Sequence, residues 1–313
     1  MREVETAIQK LKPCKAPGID GVCGELIQYG GEAALHGIHA ICQRAWEEET
    51  FPEIWTKSVI VTIPKKGDLQ QCENYRTISL IVHASKILLE IIRRRLKPHI
   101  ESHLSEEQAG FRPGRSTVEQ IFVWCQLAER YIEAQNGELV NVFIDFKKAF
   151  DRVWHTGMFR VMQHYNIPRK ITALIQNLYS QAVSAVRVGT DISDWFRQTV
   201  GVRQGCVLSS DLFNLFLEHV LGEALDSYQG GALVNGRCVS NLRFADDIDL
   251  MGETVDEVQN LVHAVHQSSK RHGLEISKEK TKVLLVAKET RDITISIDDQ
   301  ALQQVSHFRY LGT

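Results

Sequence analysis

Two patterns of apolar and polar residues alternate along the chain and predict helices and strands in uneven order. Four segments carry apolar residues at the three- and four-residue spacing of an amphipathic helix. The first should end at Pro98, because proline cannot donate the backbone hydrogen bond of a helix interior. The second opens with Ser116 and Glu119 at the spacing of a capping box. The segments are SLIVHASKILLEIIRRRLKP (79–98, with Ile81, Ile87, Leu88, Ile91, Ile92 and Leu96 on one face), STVEQIFVWCQLAERYIEAQNG (116–137), DLFNLFLEHVLGEAL (211–225) and TVDEVQNLVHAVHQSSKRHG (254–273).

Short apolar runs predict strands, several of them joined as hairpins. ELVNVFIDF (138–146) is rich in Val and Ile and is predicted to be a buried strand. SAVRVGTDISDWF (184–196) has the pattern of a hairpin, and the Asn-Gly pair in LVNGRCV (233–239) is typical of a type I′ turn. Further strands are predicted in TKVLLV, ITISI and HFRYLG. The uneven alternation of helices and strands, with hairpins, favours an α+β fold over a doubly wound parallel sheet.

Two adjacent carboxylates interrupt the apolar run NLRFADDIDLM (241–251). Successive strand residues face opposite sides of a sheet, so Asp246 and Asp247 can share one site only at a bend. Asp145 ends the apolar run VNVFID, and two buried strands that each finish in Asp could bring carboxylates together at one sheet edge. Such acids repel unless cations lie between them, and Mg²⁺ prefers oxygen ligands of this kind. On spacing alone, however, a turn or cap is the commoner role of a strand-end Asp.

Composition narrows the class of protein. Apolar residues make up 43% and charged residues 24% of the 313 residues, as in ordinary globular proteins. No window approaches the roughly 18 apolar residues of a membrane span, and the N-terminal MREVETAIQKLK lacks the apolar core of a signal peptide. The seven cysteines are scattered without a CxxC pair, which favours a reducing, intracellular compartment. The sequence does not distinguish nucleus from cytoplasm, nor does it indicate an oligomeric state.

The charge distribution is more informative than the net charge of −3. Between Lys57 and Arg115 the chain carries 11 Lys and Arg against 6 Asp and Glu, which predicts a phosphate-binding face. A solvated helix surface explains the same residues equally well. The signatures GxxxxGK[ST], GxGxxG, HExxH and GxSxG are absent. His36, His39 and Cys42 have helical spacing but no fourth ligand nearby, so an amphipathic helix explains them better than zinc.

Eight blocks follow one another along nearly the whole chain. They are KAPGIDGVCGELI, WTKSVIVTIPKKGDLQQCENYRTISLI, EEQAGFRPGRST, VFIDFKKAFDRVWH, GVRQGCVLSSDLF, FADD, GLEISKEKTKVLL and HFRYLGT. In this order they resemble the motifs of the reverse transcriptase domain of non-LTR (LINE-type) retrotransposons. The resemblance implies the fingers and palm of a right-hand polymerase, with an antiparallel palm sheet packed on helices. The implied fingers are residues 1–138 and 155–200 and the implied palm residues 139–154 and 201–313, and neither a thumb nor an endonuclease is expected in the chain.

The resemblance also assigns roles to individual residues. Asp145 and Asp246 would bridge two Mg²⁺ ions (Mn²⁺ being an alternative), with the carbonyl of Phe146 as a further ligand and Asp247 completing the acidic group. Taken alone, the basic candidates would be exposed charges and the aromatic candidate a core residue. The other implied residues are Lys65 and Arg76 for the triphosphate, Phe150 for the sugar, Gln204 and Gly205 for the nascent base pair, Arg112 and Arg115 for the template, and Lys280 (beside Lys278 and Lys282) for the pyrophosphate.

The implied function is RNA-directed DNA polymerisation, with an RNA template, a DNA primer and deoxynucleoside triphosphates as partners and no membrane. Two alternatives are a decayed or domesticated nucleic-acid-binding remnant without catalysis, and a metal-dependent nuclease on a different fold. Three positions depart from the family pattern: Thr77 and Ser210 where Pro is usual, and Asp211 where an apolar residue is usual. A new charge at Asp211 could disturb the nucleotide pocket.

Overall fold

The computed structural model describes residues 1–65, 67–134, 137–203, 205–226, 228, 230–234 and 236–312. Its helices are α1 (Arg2–Gln9), α2 (Gly24–Gln28), α3 (Gly31–Glu48), α4 (Glu53–Thr56), α5 (His83–Glu101), α6 (Thr117–Glu133), α7 (His155–His164), α8 (Arg169–Ser180), α9 (Ser209–Leu225) and α10 (Val255–Arg271). Its strands are β1 (Lys57–Pro64), β2 (Tyr75–Ile81), β3 (Glu138–Ile144), β4 (Val183–Val188), β5 (Asp191–Ile192), β6 (Phe196–Arg197), β7 (Ala232–Val234), β8 (Arg237–Val239), β9 (Asn241–Phe244), β10 (Asp247–Gly252), β11 (Lys282–Ala287), β12 (Ser296–Ile297), β13 (Gln300–Ala301) and β14 (Gln303–Gln304).

The chain divides into two compact units, each built from two stretches of sequence. Unit 1 comprises Met1–Ser102 and Trp154–Leu212, and unit 2 comprises His103–Val153 and Phe213–Thr313. Compactness does not define the fingers and palm of a polymerase, so the assignment of those parts to residue ranges stays a prediction. Among the described residues, no helix is both long and apolar enough to cross a bilayer.

Unit 1 contains a sheet in which β1 is central. β1 pairs with β2 in antiparallel and with β4 in parallel orientation, and β5 and β6 both pair with β4. The prediction that Ile81 lies on the first long helix was wrong, since Ile81 pairs with Ser58 and α5 begins at His83. The prediction that this helix stops at Pro98 was also wrong. Proline removes only its own N–H bond, and the fully buried Leu96 and Ile100 anchor the last turn, which continues to Glu101.

Unit 2 contains a sheet of order β14-β11-β3-β10-β9, in which β3 is central. β3 is antiparallel to both β10 and β11, and its Leu139, Val140 and Val142 are fully buried. The helices α6 and α10 pack against strands of this sheet. The apolar run predicted as a buried strand therefore forms the core of unit 2, and the predicted α+β class is confirmed.

Local signals in unit 2 were predicted with mixed success. The Ser116–Glu119 capping box is present at α6, and Thr254 Oγ1 accepts a hydrogen bond from the Glu257 N–H at α10. The predicted β7–β8 hairpin forms, although Asn235 of its turn lies outside the described residues. The strand predicted at HFRYLG was wrong. Phe308 stacks on Phe143 with ring centroids 4.1 Å apart, so the alternating aromatic residues cover the face of the sheet instead of joining its edge.

Candidate active site

The register of unit 2 brings two of the predicted acids face to face. Ile144 at the end of β3 lies opposite Ile248 in β10. One residue further along each antiparallel strand, Asp145 lies opposite Asp247, and opposite residues of such a pair project to the same side of the sheet. β11 flanks β3 on its other side, so Asp145 lies between the acidic hairpin and the segment that enters β11.

Asp246 lies in the tight turn between β9 and β10. Phe244 pairs with Asp247, which leaves Ala245 and Asp246 as a two-residue connection. Ala245 has φ +59°, whereas Asp246 does not have positive φ, a pattern that fits a type II′ turn. Glycine is usual at the first position, and a residue with a Cβ in this region costs about 1–3 kcal/mol. The predicted bend is therefore present, and its backbone is strained.

The side chain of Gln108 holds this strained turn. Its Oε1 accepts hydrogen bonds from the N–H groups of Ala245 (2.9 Å) and Gly110 (2.8 Å), and its Nε2 donates to the Ala245 carbonyl (3.3 Å). Gly110 packs so tightly that a Cβ there would lie 2.2 Å from the Ala245 nitrogen. From α9, Asn214 donates to the Gly110 carbonyl at 2.7 Å. These contacts fix the position of Asp246.

The sequence assigned no role to Gln108, Gly110 or Asn214. Gln108 and Gly110 belong to the block EEQAGFRPGRST, which the resemblance assigned to template binding as a whole. A glycine and a glutamine in a loop give no sign of contacts with a turn more than 130 residues further along the chain. Only the folded structure brings them together.

The three acids lie in surroundings that disfavour their charged forms. Burial raises the pKa of Asp145, although the ammonium of Lys280 offsets part of the effect. Burial and the charge of Asp145 raise the pKa of Asp246, against a hydrogen bond from its own backbone N–H. Desolvation by surrounding protein atoms, with the charges of Asp246 and Asp145, raises the pKa of Asp247 to about 6 even though its side chain reaches solvent. The charge of Asp145 therefore acts on both Asp246 and Asp247.

The oxygen atoms at this edge suit a hard divalent cation. Asp145 Oδ1 is buried and accepts no hydrogen bond within the described part of the chain. Phe146 forms an isolated bridge with Ile276, flanked by the bonds Lys147 N–H to Glu275 O and Ser277 N–H to Asp145 O. In such a non-hydrogen-bonded pair the carbonyl of Phe146 points away from the Ile276 segment and is free of that ladder. Carboxylate and carbonyl oxygens are the ligands that Mg²⁺ and Mn²⁺ take, so the donor set fits the predicted metals.

Of the three lysines in GLEISKEKTKVLL, the structure singles out Lys280. Its Nζ lies 3.6 Å from Asp145 Oδ1. Lys278 instead pairs with Asp298 at 3.1 Å, and Lys282 donates to Gln303 Oε1 at 2.6 Å. Lys280 also lines a cavity of about 380 Å³ that includes Asp145, Asp247 and the segment 308–312. The geometry thus favours Lys280 among the three lysines, and its catalytic role stays a prediction.

Phe150 occupies a position between core and solvent. Its ring stacks on Phe213 (centroids 4.1 Å apart) and meets Phe111 edge to face (6.2 Å), and its side chain is half-buried. The ring is thereby fixed five residues after Asp145. This placement accommodates both the core role and the predicted contact with a sugar.

Three of the predicted substrate-binding residues belong to unit 1. Arg76 lies opposite Ile63 in the β1–β2 hairpin, and the Lys65 N–H donates to the Asn74 carbonyl at 2.8 Å. Because Ile63 and Lys65 are two residues apart, the exposed side chains of Lys65 and Arg76 lie on one face of the hairpin. Gly205 has φ +97°, and a Cβ there would be 3.2 Å from the Ser79 carbonyl of β2. Gln204 lies outside the described residues.

The two predicted template-binding arginines differ in their contacts. Arg112 Nη1 donates to the backbone carbonyls of Ser105 (2.6 Å) and Gln108 (3.0 Å), so it braces its own loop. Arg115 is exposed and lines a surface cavity with residues of α6, among them Phe122. Arg115 is therefore the better placed of the two to meet a phosphate chain, and both assignments stay predictions.

The unusual acid Asp211 is neutralised within unit 1. Only 2% of the residue is exposed, and its carboxylate lies 2.9 Å from Lys97 Nζ and 3.7 Å from Arg93 Nη1. Thr77, another departure, pairs with Thr62 across the β1–β2 ladder. Two cations therefore accompany the charge of Asp211, and its effect on the nucleotide pocket stays a prediction.

The sequence is similar to a known protein family and to proteins of several transposons. Residues 63–313 match the family model described as "Reverse transcriptase (RNA-dependent DNA polymerase)". The chain is 29% identical over 326 residues to the probable RNA-directed DNA polymerase from transposon BS of Drosophila melanogaster, covering 100% of this chain and 35% of that protein. It is 28% identical over 219 residues to the transposon TX1 uncharacterized 149 kDa protein of Xenopus laevis, covering 70% of this chain and 17% of that protein.

A solved structure shows the same fold. Apo telomerase from Candida tropicalis, truncated from its C-terminal domain, superimposes with a TM-score of 0.59 at 13% identity, covering 80% of this chain and 53% of that one. This likeness confirms the predicted right-hand polymerase fold, and a nuclease on a different fold was therefore a wrong alternative. The chain spans about a third of the length of the transposon BS relative. With the non-LTR transposon proteins among its relatives, the chain belongs to the reverse transcriptase family.

Proposed function

We propose that the chain carries the polymerase site of an RNA-directed DNA polymerase from a non-LTR retroelement. The observation that carries the proposal is the convergence of Asp145, Asp246 and Asp247 at one sheet edge, where Lys280 is the cation that contacts Asp145 among the described residues. A fold keeps three mutually repelling acids together at a cost in stability, which positive ligands offset. Membership of the reverse transcriptase family and the right-hand polymerase fold support the proposal.

The chain's own residues would hold and orient the reactants. Asp145, Asp246 and the Phe146 carbonyl would bind two Mg²⁺ ions, and Asp247 would add negative charge beside them. Bound ions of this kind stabilise the attacking and leaving oxygens of a phosphoryl transfer. Lys280, at the other side of Asp145, would neutralise charge or deliver a proton as pyrophosphate departs. Gln108 would act as a positioning residue, because it fixes the turn that carries Asp246.

The partners would be an RNA template, a DNA primer and deoxynucleoside triphosphates. Lys65 and Arg76 share an exposed hairpin face, and a guanidinium with an ammonium suits the triphosphate. Gly205 and Gln204 would line the nascent base pair. Arg112 and Arg115 would belong to the loop that binds the template. None of the seven cysteines forms a disulfide, which supports a reducing compartment inside the cell.

Primer extension tests the proposal against the alternative of a non-catalytic binding remnant. The chain is incubated with an RNA template, an annealed DNA primer, deoxynucleotides and Mg²⁺. We expect incorporation that follows the template sequence and disappears in the Asp145→Asn variant. A chain that binds the template–primer duplex with no extension under any divalent ion would establish the remnant instead.

Phe150 offers a test of the preferred sugar. A ring packed against C2′ of the nucleotide leaves no room and no hydrogen-bond partner for a 2′-hydroxyl. In Phe150→Val, ribonucleotide use should rise relative to deoxynucleotide use by roughly 10- to 1,000-fold, or about 1.4–4 kcal/mol. The measurement is the ratio of kcat/KM for the two sugars in both proteins. An unchanged ratio with a lowered melting temperature would leave Phe150 as the core partner of Phe213 and nothing more.

A further inference from the structure

A second cluster of metal-ligating side chains lies in unit 2, formed by α9 and the end of α10. His219 and Glu223 are one helical turn apart on α9, and His272 follows the last residue of α10. His219 Nε2 lies 3.5 Å and His272 Nε2 3.7 Å from the same oxygen, Oε1 of Glu223. We propose that these three residues bind a divalent transition-metal ion, zinc being the one that best suits the ligands.

The spacing of the ligand atoms fits such an ion. One ligand atom from each of the three residues can be chosen so that all lie within 4.8 Å of one another. In a tetrahedral zinc site with bonds of about 2.0–2.1 Å, neighbouring ligand atoms lie about 3.4 Å apart. Small side-chain rotations would close the remaining gap. Two imidazoles and one carboxylate form a three-ligand set that leaves a fourth position for water.

The surroundings of the cluster already orient the ligands. His272 Nδ1 lies 2.9 Å from the Ser268 carbonyl, which can only accept, so Nδ1 carries a hydrogen and Nε2 is the nitrogen that can bind a metal on the side of Glu223. A lone pair facing a carboxylate oxygen becomes favourable when a cation lies between them. Arg271 donates to Glu223 Oε2 at 3.1 Å and leaves Oε1 for the two histidines. Partners of this kind are typical of the groups that orient metal ligands.

The ligand types separate this cluster from the acids of the polymerase site. Imidazole nitrogen suits zinc and other first-row transition metals, whereas an all-oxygen site suits Mg²⁺. A bound ion would tie α9 to the end of α10, where Ser268 Oγ already donates to the Val220 carbonyl. The chain then runs directly into Glu275 and Ser277, which pair with Lys147 and Asp145. The ion would thus brace the segment that supports the catalytic strand.

Zinc binding by the purified chain tests the site. After chelator treatment, zinc is added back in millimolar Mg²⁺, and bound metal is measured by elemental analysis together with the melting temperature. We expect one zinc per chain, a raised melting temperature because the metal binds the folded state, and a four-coordinate visible spectrum with Co²⁺ in its place. Loss of a group that only orients a metal ligand typically lowers metal affinity by about 10- to 100-fold. Glu223→Gln and His272→Ala remove ligands themselves, so each should weaken zinc binding by at least that factor.

Two controls make the result decisive. His266→Gln removes another histidine of α10, one that pairs with Asp298, and should leave zinc binding unchanged. Asp246→Asn should also leave it unchanged, because the polymerase acids are not the ligands. Glu223→Gln keeps the size of the side chain, so it serves as the second variant if His272→Ala fails to fold. The proposal is overturned if the wild type binds no zinc, if zinc stays bound in Glu223→Gln, or if Asp246→Asn abolishes the binding.

Discussion

Two groups of acids in this chain have opposite electrostatics, one buried in unit 1 and the other partly exposed at a sheet edge of unit 2. In unit 1, burial alone would raise the pKa of Glu90, but hydrogen bonds from Arg93, Lys10 and Arg94 outweigh it and hold that pKa at about 2. In unit 2, burial raises the pKa of Asp145, with Lys280 as a partial offset, and burial together with neighbouring carboxylates raises the pKa of Asp246 and Asp247. Within the described residues, Glu90 has three cationic partners, whereas Lys280 is the one cation that lies beside the second group.

The difference agrees with the proposal that the first group of acids stabilises the fold and the second group binds the catalytic metal ions. Asp211 belongs to the first group, since Lys97 and Arg93 accompany it in the interior of unit 1. Asp145 belongs to the second group, since its buried Oδ1 accepts no hydrogen bond from the described residues and burial raises its pKa in spite of Lys280 at 3.6 Å. Substitutions in the two groups should therefore change different properties, and this contrast can be measured.

The largest effect is expected for Asp246→Asn. The change keeps the shape of the side chain and removes a charge that would hold Mg²⁺, so polymerisation should fall by at least ~10³-fold, or about 4 kcal/mol. The free energy of unfolding without Mg²⁺ should stay level or rise, because repulsion within the group is relieved. Primer extension and urea unfolding measure the two quantities.

Asp211→Asn is the matched control for that substitution. It removes one buried carboxylate that has cationic partners, so stability should fall and metal-dependent catalysis should change little. If Asp246→Asn extends primers at a near-normal rate, or if both variants behave alike, the distinction between the two groups of acids is wrong.

A smaller effect is expected when the compensated group loses a cation. Lys97→Met leaves the carboxylate of Asp211, 3% exposed, with Arg93 at 3.7 Å as its remaining ion-pair contact in the described structure. Breaking a buried pair usually costs 3–5 kcal/mol, and the retained arginine should reduce the loss in unfolding free energy to about 2 kcal/mol. Adding Asp211→Leu should restore much of it, because apolar residues replace buried pairs well. Denaturant unfolding of both variants checks this, and an unstable double variant would contradict it.

The smallest expected effect is on the pH dependence of folding stability and of Mg²⁺ affinity. The folded-state pKa of Asp247 is raised from its ordinary 3.8 to about 6, so without metal its contribution to stability is largest below pH 4 and is lost as the pH rises through 6. With Mg²⁺ the direction reverses, since protons compete with the ion below pH 6. Affinity for Mg²⁺ should then fall by up to about tenfold per pH unit.

Melting curves with and without Mg²⁺ from pH 4.5 to 8, at a constant and moderate ionic strength, measure this effect. Asp247→Asn should shift the pH at which Mg²⁺ stabilisation is lost, whereas Glu90→Gln should leave that pH in place. A Mg²⁺ effect that is equal at every pH would show that the three acids do not hold the ion.

The sequence predicted the elements that carry the acids and missed what holds them. A continuous apolar run rich in Val and Ile located β3. A bend was required if Asp246 and Asp247 share a site, since successive strand residues face opposite sides. The hydrogen bonds between the Gln108 side chain and the Ala245 backbone could not be predicted, because the two residues are 137 positions apart in sequence. The local spacing of apolar and polar residues indicates only which residues could be buried together.

The errors in the prediction have the same origin. The spacing of Ile81 matched one face of a helix, but Ile81 pairs with Ser58 of β1 and belongs to β2. Phe308 and Tyr310 alternate like strand residues, yet their rings cover Phe143 instead of extending the sheet. The pairing of Asp211 with cations could not be predicted from the sequence either, since Lys97 lies 114 residues away along the chain. Tertiary contacts decided each case.

Binding of Mn²⁺ to the acids, followed by electron paramagnetic resonance with a deoxynucleoside triphosphate present, tests the central claim most directly. Glu223→Gln serves as the background, so that the histidine cluster does not contribute. The account predicts two ions per chain, with affinity reduced at least about tenfold by Asp145→Asn and by Asp246→Asn and unchanged by Asp211→Asn. Undiminished binding in both Asp145→Asn and Asp246→Asn, or an equal loss in Asp211→Asn, would contradict it.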